Sequence, residues 1–408
     1  MELPTLDNVD VKDKTAIVRV DINSPLDPKT GEILDDTRIR ESAVTIKELV
    51  TKGAKVVVLA HQGRPGDDDF TTLEKHAKKL SAAIGLEVKY LMDIVYGPPV
   101  DTAVGLMRPG EVLLLENVRY LAEENMNRPM EEQAKTRLVQ RLAPLAQIFV
   151  SDAFSAAHRS QASIVGFAAQ LPAYPGRLME KEIKGLTPAL SPEHPCVYLL
   201  GGAKPDDVIK MMENSMSKSI ANLVLTGGVL ANIFLIASGR DLSGPNLKMI
   251  MNEGYGKMLD RAKKLVTTYG DKIKVPVDVV VDDNGQPKVL SVEQLPTDRV
   301  ICDVGPRTVE EYSRVLDGAK TIVAKGPIGI FERKGFERGS FELLKAMADS
   351  KAFTIMGGGH IVAAAKAAGV SSRMKHISTA GGAAISFLTG DQMPGIEALL
   401  YSKSAMKL

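Results

Sequence analysis

The sequence predicts an α/β protein with two lobes, each built on a doubly wound parallel sheet, and with a helix that joins them. Short apolar runs typical of buried strands alternate along the 408 residues with segments whose apolar positions recur at helical spacing. This alternation favours parallel sheets with helices on both faces and right-handed crossovers between strands. It is interrupted by the turn-rich stretch at residues 171–176, where we place the boundary between the lobes.

In the first lobe, the apolar run at residues 15–18 predicts a buried strand. Asp35, Asp36 and Thr37 are suitable N-caps for a helix that begins near Arg38 and carries an apolar stripe as far as Val50. The later elements alternate in the same way, with strands predicted at residues 55–60, 111–115 and 148–150 and helices at residues 72–84 and 130–142.

The second lobe follows an amphipathic helix predicted at residues 177–186. Strands predicted at residues 196–200, 223–226 and 353–356 each lead through glycines into a helical segment. We therefore assign residues 1–172 to the first domain, 173–190 to the connecting helix, 191–390 to the second domain and 391–408 to a separate C-terminal segment.

The bulk composition argues against several classes of function. A net charge of +1 gives no support to binding of nucleic acid or of a membrane surface. The N-terminal residues lack the basic start and apolar core of a signal peptide, and no apolar run approaches the roughly 20 residues of a membrane helix. The six histidines show no zinc-ligand spacing, and Cys196 and Cys302 adjoin strand-like runs, as is typical of buried thiols in a reducing compartment. We expect a cytoplasmic protein with no nucleic-acid or membrane partner.

Cationic and amide side chains follow the predicted strands of the first lobe. The clusters are RVDINSP at residues 19–25, HQGRP at 61–65, ENVRY at 116–120 and SDAFSAAHR at 151–159. The carboxyl ends of parallel strands meet at one edge of a sheet, so these clusters converge on one pocket. Guanidinium forks match carboxylate and phosphate two bonds at a time, which predicts a small, anionic, oxygen-rich ligand.

Glycines replace the arginines at the strand ends of the second lobe. Glycine turns occur at residues 201–202, 227–228 and 357–359, each before a helical segment. Glycine lets the backbone approach a ligand closely, and the helix start offers free amides, so the three turns together favour a polyphosphate site. Neither G-x-x-x-x-G-K-[ST] nor a helix-opening G-x-G-x-x-G is present.

Taken together, these motifs resemble those of the phosphoglycerate kinase family over essentially the whole chain. The resemblance lies in R-x-D-x-N-x-P at residues 19–25, H-x-G-R-P at 61–65, E-N-x-R at 116–119, D-A-F-x-x-A-H-R at 152–159, G-G-A-K at 201–204, G-P-x-G-x-F-E at 326–332, G-G-G at 357–359 and Ser378-Thr379. The D-D-T-R-I-R sequence at residues 35–40 and the histidine after the triple glycine are most similar to the archaeal branch of that family.

The resemblance implies two Rossmann-like lobes that close on each other, with the C-terminal segment returning to the first lobe. It implies reversible transfer of a phosphoryl group between 1,3-bisphosphoglycerate and ADP, giving 3-phosphoglycerate and ATP, with Mg²⁺ accompanying the nucleotide. Two alternatives stay open at this point: a kinase of another small phosphorylated acid on the same fold, and a nucleotide-binding protein that has lost catalysis.

The resemblance also implies which residues form the site. Those expected to bind the acid substrate are Asp21, Ile22, Asn23, Arg38, His61, Gln62, Gly63, Arg64, Arg119 and Arg159. Those expected to bind the nucleotide are Gly202, Ala203, Lys204, Gly227, Gly228, Lys325, Pro327, Ile330, Glu332, Gly358, Gly359, His360 and Ile361. Arg38 and Lys204 are expected to neutralise charge on the transferring group.

The sequence departs from the common family pattern at three positions. Val208 stands where the family commonly has a second lysine, and Lys325 stands where it has asparagine. We hypothesise that Lys325 supplies the charge that Val208 lacks. His360 replaces an aspartate that helps to hold magnesium, which leaves Asp207 or water as the candidate metal ligand.

Overall fold

The computed structural model describes residues 3–407. The chain divides into two compact units, one formed by the residues up to Ile183 together with those from Gln392 onward, and the other by Lys184–Asp391. The amphipathic helix predicted at residues 177–186 is present as Arg177–Leu186, and the boundary between the units lies within it.

The first unit is built on a six-stranded parallel sheet. Its strands are β1 (Thr15–Val20), β2 (Lys55–Leu59), β3 (Val88–Leu91), β4 (Val112–Leu115), β5 (Ile148–Asp152) and β6 (Ala173–Pro175), in the spatial order β3-β4-β2-β1-β5-β6. The sequence analysis missed β3 and β6, which are the short edge strands, and it assigned residues 173–175 to the connecting helix. Pro175 is compatible with an edge because a strand there leaves one side of its backbone unpaired.

Helices cover this sheet. They are α1 (Thr37–Thr51), α2 (Glu74–Ile84), α3 (Pro98–Gly105), α4 (Met130–Gln133), α5 (Arg137–Leu142), α6 (Ala162–Val165) and α7 (Arg177–Leu186). Apolar positions of α1 such as Ile39 and Ile46 are fully buried in the same core cluster as Val18 and Val58 of the strands. The C-terminal helix Pro394–Met406 also belongs to this unit, where the Ser402 hydroxyl accepts a hydrogen bond of 2.9 Å from the Ala173 amide.

The helix predicted at residues 130–142 is divided in two. The carboxylate of Glu123 accepts hydrogen bonds from the backbone amides of Arg137 and Leu138, at 3.2 and 2.7 Å, and so caps the start of α5. The Thr136 hydroxyl donates to the Gln133 carbonyl at 2.6 Å, which competes with a continuous helical ladder. Local side-chain bonds therefore replace the single helix that the apolar spacing predicted.

The second unit contains another six-stranded parallel sheet. Its strands are β7 (Cys196–Leu200), β8 (Leu223–Thr226), β9 (Ile273–Lys274), β13 (Thr321–Lys325), β14 (Phe353–Gly357) and β15 (His376–Ser378), in the spatial order β15-β14-β13-β7-β8-β9. Its helices are α8 (Pro205–Ser217), α9 (Gly228–Ala237), α10 (Pro245–Asn252), α11 (Gly256–Tyr269), α12 (Pro306–Asp317), α13 (Arg338–Asp349), α14 (Gly359–Ala367) and α15 (Gly382–Leu388). The predicted fold class is confirmed for both units.

A small antiparallel sheet in the second unit was not predicted. It has the order β11-β10-β12 and consists of β10 (Asp278–Asp283), β11 (Gln286–Ser291) and β12 (Ile301–Val304). The turn between its first two strands is Asn284-Gly285, with φ of 53° and 87°, which is a typical signal for a two-residue hairpin. Within residues 3–407, no helix is both long enough and apolar enough to cross a membrane.

Candidate functional site

An ionised carboxylate organises the edge of the first unit where the sequence predicts an anion-binding pocket. Asp21 directly follows β1 and is only 3% exposed. Its Oδ2 accepts a hydrogen bond of 2.6 Å from Arg38 Nη1 and another from the Ser155 hydroxyl, and its Oδ1 accepts from the Asn23 amide at 3.0 Å. Burial alone raises the pKa of Asp21, but the charge of Arg38 and these hydrogen bonds lower that pKa to about 2. Asp21 therefore stays charged and holds the partly exposed Arg38 in place.

The loop after β2 is fixed against the loop after β1. Gln62 is completely buried, and it accepts from the Ser24 amide at 2.9 Å and donates to the Ser24 carbonyl at 3.0 Å. The Gly63 amide donates to Asn23 Oδ1 at 2.8 Å. Gly63 has a φ of 65°, and a Cβ there would lie 2.6 Å from the backbone of Phe70, so the turn requires glycine. Of the predicted acid-binding residues, Gln62 and Gly63 thus shape the loop.

Ile22 does not present its side chain to a ligand. It is 0% exposed and belongs to the hydrophobic core of the first unit. Its carbonyl accepts a hydrogen bond of 2.9 Å from the Ser24 hydroxyl. The family resemblance implied a substrate-binding role for Ile22 together with its neighbours Asp21 and Asn23, but in a strand-end segment adjacent side chains point in opposite directions.

Three further arginines share this edge. Arg119 is 6% exposed and donates from Nη1 to the Gly63 carbonyl. Burial, followed by the charges of Arg159, Arg19 and Arg64, lowers the pKa of Arg119 to about 10. Burial and then the charge of Arg64 also lower the pKa of Arg159. Arg64, Arg119 and Arg159 are therefore close enough to repel one another, and an anion bound among them relieves that repulsion.

The sequence analysis missed a layer of charge beneath these residues. Arg19 on β1 and Glu124 are both almost completely buried, at 1% and 0% exposure, and Arg19 lies against His61. Arg19 is part of the R-x-D-x-N-x-P motif, so the sequence signalled it. Glu124 carries no such signal, because it lies in a short 3₁₀ turn far from any strand end.

A cavity of about 450 Å³ lies at the carboxyl ends of β7, β8, β13 and β14 in the second unit. Its walls include twelve of the thirteen predicted nucleotide-binding residues: Gly202, Ala203, Lys204, Gly228, Lys325, Pro327, Ile330, Glu332, Gly358, Gly359, His360 and Ile361. Gly227 is the exception among them. A Cβ at Gly227 would lie 2.5 Å from the side chain of Ile328, so this glycine permits close packing behind the cavity wall.

Backbone hydrogen bonds tie the glycine turns together. The amides of Gly201, Gly202 and Gly228 donate at 2.7 to 2.8 Å to the carbonyls of Lys325, Pro327 and Ile328, respectively. These bonds join the ends of β7, β8 and β13 into one continuous wall. The wall requires small residues, because a Cβ at Gly228 would lie 3.0 Å from the Gly202 amide nitrogen.

One end of the cavity is suited to phosphate. The helix α14 begins at Gly359, and the preceding Gly358 has a φ of 106° and offers no side-chain cap. The first amides of that nine-residue helix are therefore available to an anion, at the positive end of the helix dipole. Lys325 also lines this cavity with its side chain 18% exposed. Burial lowers the pKa of Lys325 to about 8, although the charge of Asp207 acts to raise it. Asp207 Oδ2 lies 3.8 Å from Lys325 Nζ.

The carboxylates near this end are few. Among residues 3–407, no group of three histidine, cysteine or acidic side chains is placed to hold a metal ion. Asp207, 64% exposed, lines the cavity, and Glu332 lies 3.5 Å from His360 through Oε1 and Nδ1. A Mg²⁺ ion that arrives with a nucleotide needs only one or two protein carboxylates, since phosphate oxygens and water supply the other ligands. Asp207 therefore fits a magnesium–nucleotide complex, although the chain offers no cage for the metal alone.

The other end of the cavity is apolar, with one exception. Val229, Met249, Val300 and Ile301 line it, as does Asn232, which is 2% exposed. The Asn232 side chain makes no hydrogen bond within the part of the chain that the structure describes, and it stands on the otherwise apolar helix α9. The sequence analysis did not single it out, although a lone asparagine among apolar helix residues was a usable signal.

Comparisons with known proteins agree with the family resemblance of the motifs. The family model described as phosphoglycerate kinase matches residues 6–391. Curated phosphoglycerate kinases of Methanococcus maripaludis and Methanobacterium bryantii are 49% and 47% identical to the chain, each match covering 99% of both sequences. The crystal structure of phosphoglycerate kinase from Pyrococcus horikoshii OT3 has a TM-score of 0.90 and 41% identity, and the match covers 98% of this chain and 99% of that one. The resemblance inferred from the motifs is confirmed: the chain belongs to the phosphoglycerate kinase family.

Proposed function

We propose that the protein reversibly transfers a phosphoryl group between 1,3-bisphosphoglycerate and ADP, giving 3-phosphoglycerate and ATP. The observation that carries this proposal is the edge of the first unit, where the ionised Asp21 holds Arg38 and where Arg64, Arg119 and Arg159 lie close to one another. A small acid that bears both a carboxylate and a phosphate suits such a set of fork-shaped donors. No observation favours another acid substrate, and a protein that only bound nucleotide would not require these arginines.

The acid substrate is assigned to the first unit. We assign its direct contacts to Asp21, Asn23, Arg38, His61, Arg64, Arg119 and Arg159. Gln62, Gly63 and Ile22 act through the backbone that they hold in place, as their burial supports. Arg38 is held by Asp21 and Arg119 by the Gly63 carbonyl before any ligand binds, so these two side chains need little rearrangement on binding.

The nucleotide is assigned to the cavity of the second unit. Lys204, Lys325 and the first amides of α14 suit the phosphates, while the apolar end suits the adenine ring. Glu332 lines the same cavity and is assigned to the ribose hydroxyls. Magnesium bound with the nucleotide neutralises charge on the phosphate oxygens, and Asp207 is the residue that we assign to it.

The chemistry then needs alignment and charge neutralisation rather than proton transfer. In the direction of ATP use, a carboxylate oxygen of 3-phosphoglycerate forms a bond to the γ-phosphorus, and the bond from that phosphorus to the bridging oxygen of ADP breaks. The carboxylate is already a nucleophile, so no general base is required. We assign to Arg38 and Lys204 the neutralisation of the charge that develops on the transferring group.

The location follows from the substrates. Phosphorylated acids and nucleotides are multiply charged and do not cross membranes unaided, so we propose that the protein acts in the cytoplasm.

A coupled assay tests the activity. The purified protein receives 3-phosphoglycerate and Mg-ATP, and 1,3-bisphosphoglycerate formation is followed as NADH oxidation by glyceraldehyde-3-phosphate dehydrogenase. We expect turnover only when acid, ATP and magnesium are all present, and replacement of 3-phosphoglycerate by 2-phosphoglycerate provides the matched control. Because the coupling enzyme responds only to 1,3-bisphosphoglycerate, ADP release is measured in parallel. ADP release with another acid and none with 3-phosphoglycerate would overturn the substrate, and no release with any acid would favour a protein without catalysis.

A further inference from the structure

A buried group formed by Arg19, Ser163 and Glu124, here called the Arg19 cluster, lies directly behind His61. We infer that the Arg19 cluster fixes His61 as a neutral imidazole with its proton on Nε2, so that His61 serves the substrate as a hydrogen-bond donor and not as a cation. The inference rests on the proposed function only in naming the ligand that receives this hydrogen bond. The tautomer itself is a property of the protein without ligand.

The direction of the hydrogen bonds determines the tautomer. Arg19 Nη2 lies 3.1 Å from His61 Nδ1, and both residues are buried. A guanidinium group has five donors and no acceptor, so Nδ1 must accept this hydrogen bond and cannot carry a proton. The single ring proton of His61 is then on Nε2.

The rest of the cluster prevents Arg19 from turning away. Arg19 Nε donates to the Ser163 hydroxyl oxygen at 2.7 Å, and Arg19 Nη1 donates to the Val20 carbonyl. Ser163 in turn donates from its hydroxyl to Glu124 Oε1 at 2.5 Å and from its amide to Glu124 Oε2 at 2.8 Å. One chain of hydrogen bonds therefore runs from Arg19 Nε through the Ser163 hydroxyl to Glu124. Each of the three kinds of guanidinium nitrogen has its own acceptor.

Glu124 supplies the charge that makes a buried guanidinium tolerable. It is completely buried, and its Oε1 lies 3.9 Å from Arg19 Nη2. A buried charge without a partner is strongly destabilising. Removing Glu124 should therefore disturb Arg19, and through it His61, without touching a ligand.

The surroundings of His61 also favour the neutral imidazole. Burial is the largest cause that holds the pKa of His61 well below its usual value, and Arg19, Arg119 and Arg159 add to the effect. Asp21 is the group that opposes it. An ordinary histidine with a pKa near 6.5 would change its charge within the physiological range. His61 instead offers the same N–H group throughout that range, and the fixed positive charge of the site is left to the arginines.

The first test observes the tautomer in the intact, ligand-free protein. Histidine labelled with ¹⁵N is followed by long-range ¹H–¹⁵N correlation between pH 6 and pH 8, and the His61 signals are assigned by their loss in His61→Asn. We expect a protonated Nε2 and an unprotonated Nδ1 at every pH. An imidazolium ion, or a proton on Nδ1, would overturn the inference whether or not the protein uses 3-phosphoglycerate.

His76 provides an internal control. Its Nε2 lies 2.9 Å from Gln62 Oε1, which must accept because the amide of Gln62 donates elsewhere, and burial lowers the pKa of His76 to about 4. His76 should therefore show the same tautomer as His61. It makes no contact with the Arg19 cluster in its hydrogen bonds, so its signals should not respond to changes there.

The second test removes the cluster. In the double variant Arg19→Met/Glu124→Leu, apolar residues replace the buried pair, an exchange that proteins often tolerate. We expect His61 to populate both tautomers, the KM for 3-phosphoglycerate to rise about 10-fold and to become dependent on pH between 6 and 8, and the KM for ATP to stay unchanged. The His76 signals should keep their positions. A merely structural role would leave the His61 tautomer as in the parent protein, and that result would refute the positioning function.

Discussion

A substitution at Lys325 tests the hypothesis that this lysine supplies the charge that Val208 lacks. The substitution Lys325→Asn removes one cation from the cavity but keeps a polar side chain that can still donate a hydrogen bond. Lys325 lines the cavity at the end suited to phosphate, and its side chain is 18% exposed. If it supplies charge to the transferring phosphoryl group, its loss should appear mainly in kcat.

The size of the effect follows from what burial does to this lysine. Burial lowers the pKa of Lys325 from 10.5 to about 8, in spite of the opposing charge of Asp207. Lowering a pKa by roughly 2.5 corresponds to about 3 kcal/mol that the free protein expends to keep the lysine charged there. Bound phosphate oxygens can return that free energy, which sets an upper limit near 300-fold in rate. Because asparagine retains one neutral hydrogen bond, we expect kcat to fall roughly 10- to 100-fold.

The coupled assay with 3-phosphoglycerate and Mg-ATP measures this change. Lys210→Asn is the matched control, because Lys210 is 54% exposed and is paired with Asp391 at 2.7 Å outside the cavity. Val208 lines the cavity, so adding Val208→Lys to Lys325→Asn should restore part of the rate. Full activity in Lys325→Asn alone, or an equal loss in Lys210→Asn, would refute the reasoning.

Three further outcomes are expected. Arg38→Ala should lower kcat by about 10² or more if Arg38 contacts the transferring group, and a rise in KM alone would reduce it to a binding residue. Asn232→Ala should raise the KM for ATP about 10-fold and leave the KM for 3-phosphoglycerate unchanged, because the Asn232 amide lines the cavity among apolar residues that suit the adenine ring and can hydrogen-bond to that ring; an unchanged KM for ATP would contradict this. Burial raises the pKa of Asp152 from 3.8 to about 7. The protonated carboxyl therefore stabilises the fold below pH 3.8, and this contribution is lost as the pH rises through 7. The corresponding change in the free energy of unfolding is about 4 kcal/mol. Urea unfolding at pH 5 and pH 8 should therefore show a smaller loss of stability for Asp152→Asn than for the parent protein, and equal losses would exclude this effect.

The two parallel sheets were largely predictable, because strand-like and helical segments alternate along the sequence. The predicted strand at residues 55–60 is β2 with bounds Lys55–Leu59, where an unbroken β-branched run leaves no alternative. By contrast, β3 has only four residues, one side chain of which is exposed, so it gives neither a buried run nor a clear alternation. The antiparallel sheet was missed although its Asn284-Gly285 turn is a strong local signal, since the expectation of a purely parallel sheet took precedence.

The same distinction applies to the sites. Arg64, Arg119 and Arg159 could be brought together from the sequence, because each follows a strand and the strand ends of a parallel sheet converge. Glu124 and Ser163 could not, since neither lies at a strand end and their contact depends on how a 3₁₀ turn packs against α6. Motif spacing thus predicted residues that the structure gathers at the strand ends, but not the buried residues that lie against them.

The two units offer different groups for the binding of anions. Each unit should therefore be sensitive to a different kind of substitution. The first unit uses side-chain charges that buried carboxylates hold in place, so that Asp21 and Glu124 are as necessary as the arginines they orient. The second unit uses backbone amides that only glycine can bring close enough. At Gly326, a Cβ would meet the backbone of Gly201, so even alanine would separate the ends of β7 and β13. Charge substitutions should therefore be most damaging in the first unit, whereas in the second the smallest increase in side-chain volume at a wall glycine should suffice.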